Sequence, residues 1–207
     1  MRPSRKNLRS GSIAKYKYKS YAEYIEMQSY YASRRKTRTR SHEKRRQWIY
    51  DYLKDHDIEG DSVLCVGARD DSEVDFFTNK GHDTIGIDLY ETRAIINCDM
   101  SKMYEHPKLK DMKFDMVFSL ESLEHCLDIE GFVKGLNLVC KKYFVCMFGI
   151  IKAPNYWDCH QFDFTKYAGT NRYDEELIKV FPDFELVTNE VHKRGKKGFF
   201  ILKKKSV

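Results

Sequence analysis

The stretch Val63-Leu64-Cys65-Val66-Gly67-Ala68-Arg69-Asp70-Asp71-Ser72-Glu73-Val74 decides how this chain is read. Four apolar residues end at a glycine, and the chain then passes through polar residues into a helical pattern. A short buried strand that turns sharply into a helix is how an open α/β sheet begins its ligand crevice. Asp70, Asp71 and Ser72 each offer an oxygen to the free N–H groups of that helix. A second strand, Thr84-Ile85-Gly86-Ile87-Asp88, ends in an acid 21 positions after Gly67. An acid about 20 residues beyond the turn is suited to ribose hydroxyls.

The residues of the turn select among nucleotides. A dinucleotide sets its pyrophosphate against a glycine-rich turn and a bare helix N-terminus. Here Ala68, Arg69, Asp70 and Asp71 follow Gly67, so two carboxylates would face that phosphate and Arg69 offsets one of them. The pair favours a ligand with positive groups. S-adenosylmethionine has a ribose, no phosphate, an ammonium and a sulfonium. The segment resembles motif I of the class I S-adenosylmethionine-dependent methyltransferases, in a type 11-like branch that reads roughly CVGARxGxEV. Asp71 stands where that branch has a second glycine, and its bulk is expected to narrow the methionine slot. The resemblance implies cofactor contacts at Val66, Gly67, Ala68, Arg69, Glu73, Asp88 and Leu89.

Further along, Ala94-Ile95-Ile96-Asn97 reads as a short third strand, followed by Cys98-Asp99-Met100. The resemblance implies that Asp99 meets the adenine amino group and that Met100 lies against the ring. The other reading of Asp99 is an N-cap for the turn at 101–104. Phe114 to Ser119 reads as strand four and leads into Leu120-Glu121-Ser122-Leu123-Glu124-His125-Cys126-Leu127-Asp128. This resembles the family's motif IV with its LEH signature. The family then implies that Ser119 and Leu120 lie near the transferred methyl. His125 is either a catalytic group in the crevice or a structural group that fixes the turn, and Glu124 is a substrate candidate beside it.

A helix over 129–141 and a fifth strand from Tyr143 to Ile150 come next, the helix with an apolar face. Residues 152–164 then break the strand–helix rhythm. Trp157, Asp158, His160 and Asp163 gather there as an acceptor pocket or lid, or as a loop that covers the sheet end. His160, like His125, is a candidate base, which an oxygen acceptor needs and a nitrogen or sulfur acceptor does not. Asp174 caps a helix over 175–181 that stops at Pro182. The strands 184–192 and 198–204 are joined so closely that they must pair antiparallel. The expected fold is therefore α/β: a Rossmann-like doubly wound sheet, mostly parallel, closing with an antiparallel hairpin, with helices on both faces.

Charge divides the chain. Residues 1–46 hold 15 Lys and Arg against 3 Glu, whereas the whole chain is +6, so residues 47–207 are net acidic. We read 1–46 as a basic extension, partly disordered or helical, and 47–207 as a methyltransferase domain. Tyr16, Tyr18, Tyr21, Tyr24, Tyr30 and Tyr31 sit among lysines, a pattern that suits stacking on nucleic-acid bases or, over 20–32, one docking face of a helix. The cation run 34–46 reads as a nucleic-acid patch, a localisation signal or a solvated surface. From Ser41 a helix runs toward Asp55 with Trp48, Ile49, Tyr52 and Leu53 on one side. The six cysteines show no CxxC spacing and no metal constellation is evident. Their apolar settings suggest buried free thiols in a reducing, cytoplasmic or nuclear, compartment. No run nears the ~18 apolar residues of a membrane span and no leader is visible. A small-molecule or protein acceptor stays as open as nucleic acid. The competing readings are a degenerate methyltransferase-like subunit that binds nucleic acid or serves a structural role, and a nicotinamide-dependent oxidoreductase.

Overall fold

A computed structural model describes residues 22, 23, 26, 40–126, 128–149, 177–192 and 197–206. Helix α1 (Arg40–Asp55) leads into β1 (Ser62–Val66), α2 (Ser72–Thr78), β2 (Asp83–Asp88) and β3 (Ile95–Asn97). A 3-10 turn over Met100–Glu105 precedes β4 (Phe114–Leu120), which ends in a second 3-10 turn, Leu123–His125. Then follow α3 (Ile129–Val139), β5 (Cys140–Gly149), β6 (Phe184–His192) and β7 (Lys197–Lys204). Residues 177–180 are helical.

The seven strands form one sheet in the order β3-β2-β1-β4-β5-β7-β6. β1 to β5 run parallel, and β7 lies antiparallel to both β5 and β6. The order turns back between β1 and β4, so a crevice opens where their carboxyl ends diverge. Strand five begins at Cys140, three residues before the expected Tyr143. The extra residue lies in β5: Phe114 pairs with Cys140 and Met116 with Tyr143, a register shift that adds one residue on the β5 side.

Alternating side chains feed two cores. On one face Leu64, Val66, Phe144, Cys146, Phe148, Phe200 and Leu202 pack with Phe132, Leu136 and Val139 of α3. On the other, Val63, Cys65, Met116, Phe118, Val145, Met147, Phe199 and Ile201 pack with Ile49 and Leu53 of α1 and Val74 and Phe77 of α2. Each fully buried aliphatic or aromatic side chain contributes about 1.5–3 kcal/mol. Trp48 and Tyr52 set their rings edge-on against Phe199 at 5.1 and 5.2 Å, which seats α1 on the sheet.

At the amino edge, Asp115 stitches β4 to the start of β1. Its Oδ2 accepts from the backbone N–H groups of Asp61 (2.9 Å) and Ser62 (3.3 Å), and Lys141 Nζ lies 2.9 Å from Oδ1. Cys65, Cys98, Cys126, Cys140 and Cys146 are buried free thiols. Burial pushes Cys98, Cys126 and Cys140 up to about 12. Among the described residues no helix is long and apolar enough to cross a membrane.

Candidate functional site

The carboxyl ends of β1, β2, β3 and β4 carry most of the residues singled out in the sequence. After β1 the chain reverses at Gly67 (φ 70) and Arg69 (φ 55), and Asp70 N donates to the Ala68 carbonyl at 2.6 Å. A Cβ on Gly67 would collide with Ser122 and would lie 3.6 Å from the Met100 methyl. Glycine is required here because the exit of β4 passes against the turn. Ser122 Oγ donates to the Val66 carbonyl (2.8 Å) and shares a hydrogen bond with Ser119 Oγ (2.9 Å).

Asp88 ends β2 half-buried at this edge. Arg69 N donates to its Oδ2 at 2.9 Å and Leu89 N to its Oδ1 at 2.7 Å. The turn after β1 therefore helps to aim the acid that ends β2. Asn97 is the register partner of Asp88, so Asp99 lies just past the neighbouring strand end. Asp99 Oδ1 accepts from Ser101 N and Ser101 Oγ, both at 2.7 Å, which makes it the N-cap of the 3-10 turn.

The remaining candidates divide by burial. Val66, Ala68, Glu73, Ser119 and Leu120 are buried, Val66 in the core under α3 and Ala68 and Leu120 in the core under α1. Leu89, Met100 and His125 are half-buried. Glu124 is buried and its Oε1 accepts from Gly149 N at 3.0 Å, which joins the exit of β4 to the end of β5. His125 N donates to the Ser122 carbonyl at 2.9 Å within the 3-10 turn. Trp157, Asp158, His160 and Asp163 lie outside the described residues, as do most of residues 1–39.

Asp71 does not lend its side chain to the free N–H groups of α2 as expected. Its carboxylate is turned to the loop between β2 and β3, where Thr92 Oγ1 and Ala94 N (3.1 Å) donate to Oδ1. Asp70 Oδ1 accepts from Ser72 N at 3.0 Å and supplies the local turn bond. The two carboxylates thus have separate partners.

Glu121, at φ 55 just after β4, was not legible as a special residue. Arg45 Nη1 (2.5 Å), Lys197 Nζ (2.7 Å) and His42 Nε2 (3.4 Å) surround its carboxylate. Burial alone would push this carboxyl up. The hydrogen bond from His42 and the charges of Lys197 and Arg45 outweigh it and hold the group down to about 2. The next residue of α1, Arg46, is buried and donates from Nη1 to Ser72 Oγ (2.9 Å) at the start of α2. Consecutive arginines of α1 thereby grip both walls of the crevice. Burial draws the Arg46 guanidinium below its ordinary value, with the Asp70 charge opposing.

No family model matches this chain, and no curated protein matches it. Solved structures do. A protein of Pyrococcus horikoshii OT3 is similar with a TM-score of 0.57 and 15 % identity, over 81 % of this chain and 93 % of that one. The 1,6-didemethyltoxoflavin-N1-methyltransferase of Burkholderia thailandensis, solved with 1,6-didemethyltoxoflavin and S-adenosylhomocysteine, is similar with a TM-score of 0.54 and 17 % identity, over 80 % and 84 %. The magnesium protoporphyrin IX methyltransferase of Synechocystis PCC 6803, solved with S-adenosylmethionine, is similar with a TM-score of 0.57 and 12 % identity, over 88 % and 94 %. The chain has the Rossmann-like methyltransferase fold, with its mostly parallel sheet and antiparallel C-terminal hairpin.

Proposed function

We propose that this chain is an S-adenosylmethionine-dependent methyltransferase of the class I, type 11-like branch. The observation that carries the proposal is Asp88. It is a half-buried carboxylate at the carboxyl edge of the sheet beside the switch point, oriented by backbone donors from Arg69 and Leu89. The donor set fits the cofactor: Asp88 would hold the ribose, Asp99 and Met100 the adenine side, and the Gly67–Arg69 turn the methionine side. Bound cofactor supplies a methyl group on a good leaving thioether. The protein's own part is then position. Ser122 fixes the distance between the turn and the β4 exit, Arg45 and Arg46 tie α1 across both, and Asp88 sets the height of the nucleoside.

A nitrogen or sulfur acceptor needs only a placed lone pair, whereas an oxygen acceptor would draw on His125 or His160 as base. Trp157, Asp158 and Glu124 are the acceptor-side candidates. The reading of residues 1–46 as a nucleic-acid arm gives up His42, Arg45 and Arg46, whose side chains are engaged within the protein. Calorimetry with S-adenosylhomocysteine tests the proposal. The wild type is expected to bind, and Asp88→Ala to lose at least about tenfold in affinity, the effect of one charge-assisted hydrogen bond. No binding by the folded wild type ends the proposal.

A further inference from the structure

We propose that Asp71 is a positioning residue that holds the β2–β3 loop beside Asp88 and so tightens the nucleoside half of the cofactor site. The inference rests on the methyltransferase reading above.

The position is the one at which the chain departs from the motif it resembles. The backbone at Asp71 does not need glycine: φ is −64 and ψ is −9, ordinary helical values. Asp71 occupies the N-cap position of α2 and yet makes no side-chain cap bond. That is an unusual use of an aspartate, since a cap oxygen normally takes the N–H two or three residues on. Asp70 takes the Ser72 N–H instead, which releases the Asp71 carboxylate to reach sideways.

It reaches the loop that leaves Asp88. The Asp71 Oδ1 accepts from the Thr92 hydroxyl and from Ala94 N at 3.1 Å. Thr92 N in turn donates to the Ile95 carbonyl at 3.2 Å, and Gly86 N to the Ala94 carbonyl at 2.9 Å. Residues 92–94 are therefore held from α2 on one side and from the sheet on the other. Only Leu89, Tyr90 and Glu91 separate this anchored stretch from Asp88. Arg93 adds ion pairs to Asp71 (Nε, 3.7 Å) and Asp75 (Nη2, 2.6 Å). Its side chain is two-thirds exposed, so these contribute little. The Thr92 and Ala94 bonds carry the effect.

A glycine at position 71 would leave the loop fastened on one side only. Asp88 would keep its two backbone donors, but the rim beyond it would gain freedom that binding has to remove. The alternative, in which the aspartate merely crowds the methionine slot, predicts the opposite sign: glycine would then improve binding of the tail.

Calorimetry on the full chain separates these. Two probes are used: S-adenosylhomocysteine, and methylthioadenosine, which keeps the nucleoside and lacks the amino-acid tail. Asp71→Gly is expected to weaken both probes by a similar factor, about tenfold, as for a lost charge-assisted hydrogen bond. Asp71→Asn, which keeps an acceptor oxygen, restores most of that loss. Thr92→Val, which leaves residue 71 intact, weakens both probes less. It carries the test by itself where Asp71→Gly does not fold. Unchanged or tighter binding in folded Asp71→Gly, a change confined to S-adenosylhomocysteine, or a lowered melting temperature without a change in affinity overturns the inference and leaves the methyltransferase reading standing. A folded wild type that binds neither probe overturns both.

Discussion

Strand β4 carries a clasped carboxylate near each end, and the two clasps are built differently. At the amino edge, Asp115 is held by backbone N–H groups and by Lys141 and Lys142, whose side chains are 46 and 53 % exposed. At the carboxyl edge, Glu121 is held by side chains alone, with His42, Arg45 and Lys197 only 25, 17 and 21 % exposed. Both acids sit at about 2, each because donors and cations outweigh a burial that would push it up. Asp115 joins two neighbouring strands that the sheet already joins. Glu121 joins α1, the exit of β4 and the start of β7 through one carboxylate. The amino end is a seam and the carboxyl end is a junction.

The comparison predicts its own order of effects. Glu121→Ala leaves Arg45 and Lys197 facing each other in a partly dry site. It should lower unfolding free energy by about 2–4 kcal/mol in urea melts, and weaken S-adenosylhomocysteine binding as well. Equal stability in the variant would show that the junction is ornamental. Asp115→Asn keeps most acceptor geometry, and water reaches its lysines. A loss of about 1–2 kcal/mol is expected with no change in ligand affinity, and a change in affinity would erase the distinction between the two edges. Lys141→Ala should cost no more than about 1 kcal/mol, a cost that salt removes.

The pH dependence sharpens the same contrast. Both carboxyls are depressed in the folded chain, from ordinary values of 4.5 for Glu121 and 3.8 for Asp115. Their stabilisation is therefore complete above those values and drains as the pH falls toward 2. Glu121→Gln should flatten the acid limb of the stability curve more than Asp115→Asn does. Chemical denaturation at about pH 7 and about pH 3 reads the difference.

Strands were legible because their signals are local. Val63 to Val66, Thr84 to Asp88 and Phe114 to Ser119 are apolar runs with turn residues at their ends, and their order implied the sheet. The antiparallel close followed from the short link after His192. The junction was not legible because its partners are remote. Arg45 and Glu121 stand 76 residues apart, and a cation inside a dense basic run carries no mark of the carboxylate it will meet. Arg46 was hidden the same way. The bonds of Asp71 to Thr92 and Ala94 were not legible because a sequence lists the residue and not the direction its side chain takes. The cap role of Asp99 was legible as one of two readings, since an aspartate two residues before a serine suits a turn as well as a ligand.

The sealed thiols provide an internal gauge of how each edge comes apart. Cys98 follows β3 and Cys126 the 3-10 turn beyond β4, both at the carboxyl edge, whereas Cys140 opens β5 at the amino edge. A chromogenic disulfide reagent can modify any of them only while the surrounding layer is transiently undone. Time courses resolved by peptide mapping would then rank the frequency of such fluctuations at the two edges of the sheet, with no ligand, label or acceptor needed.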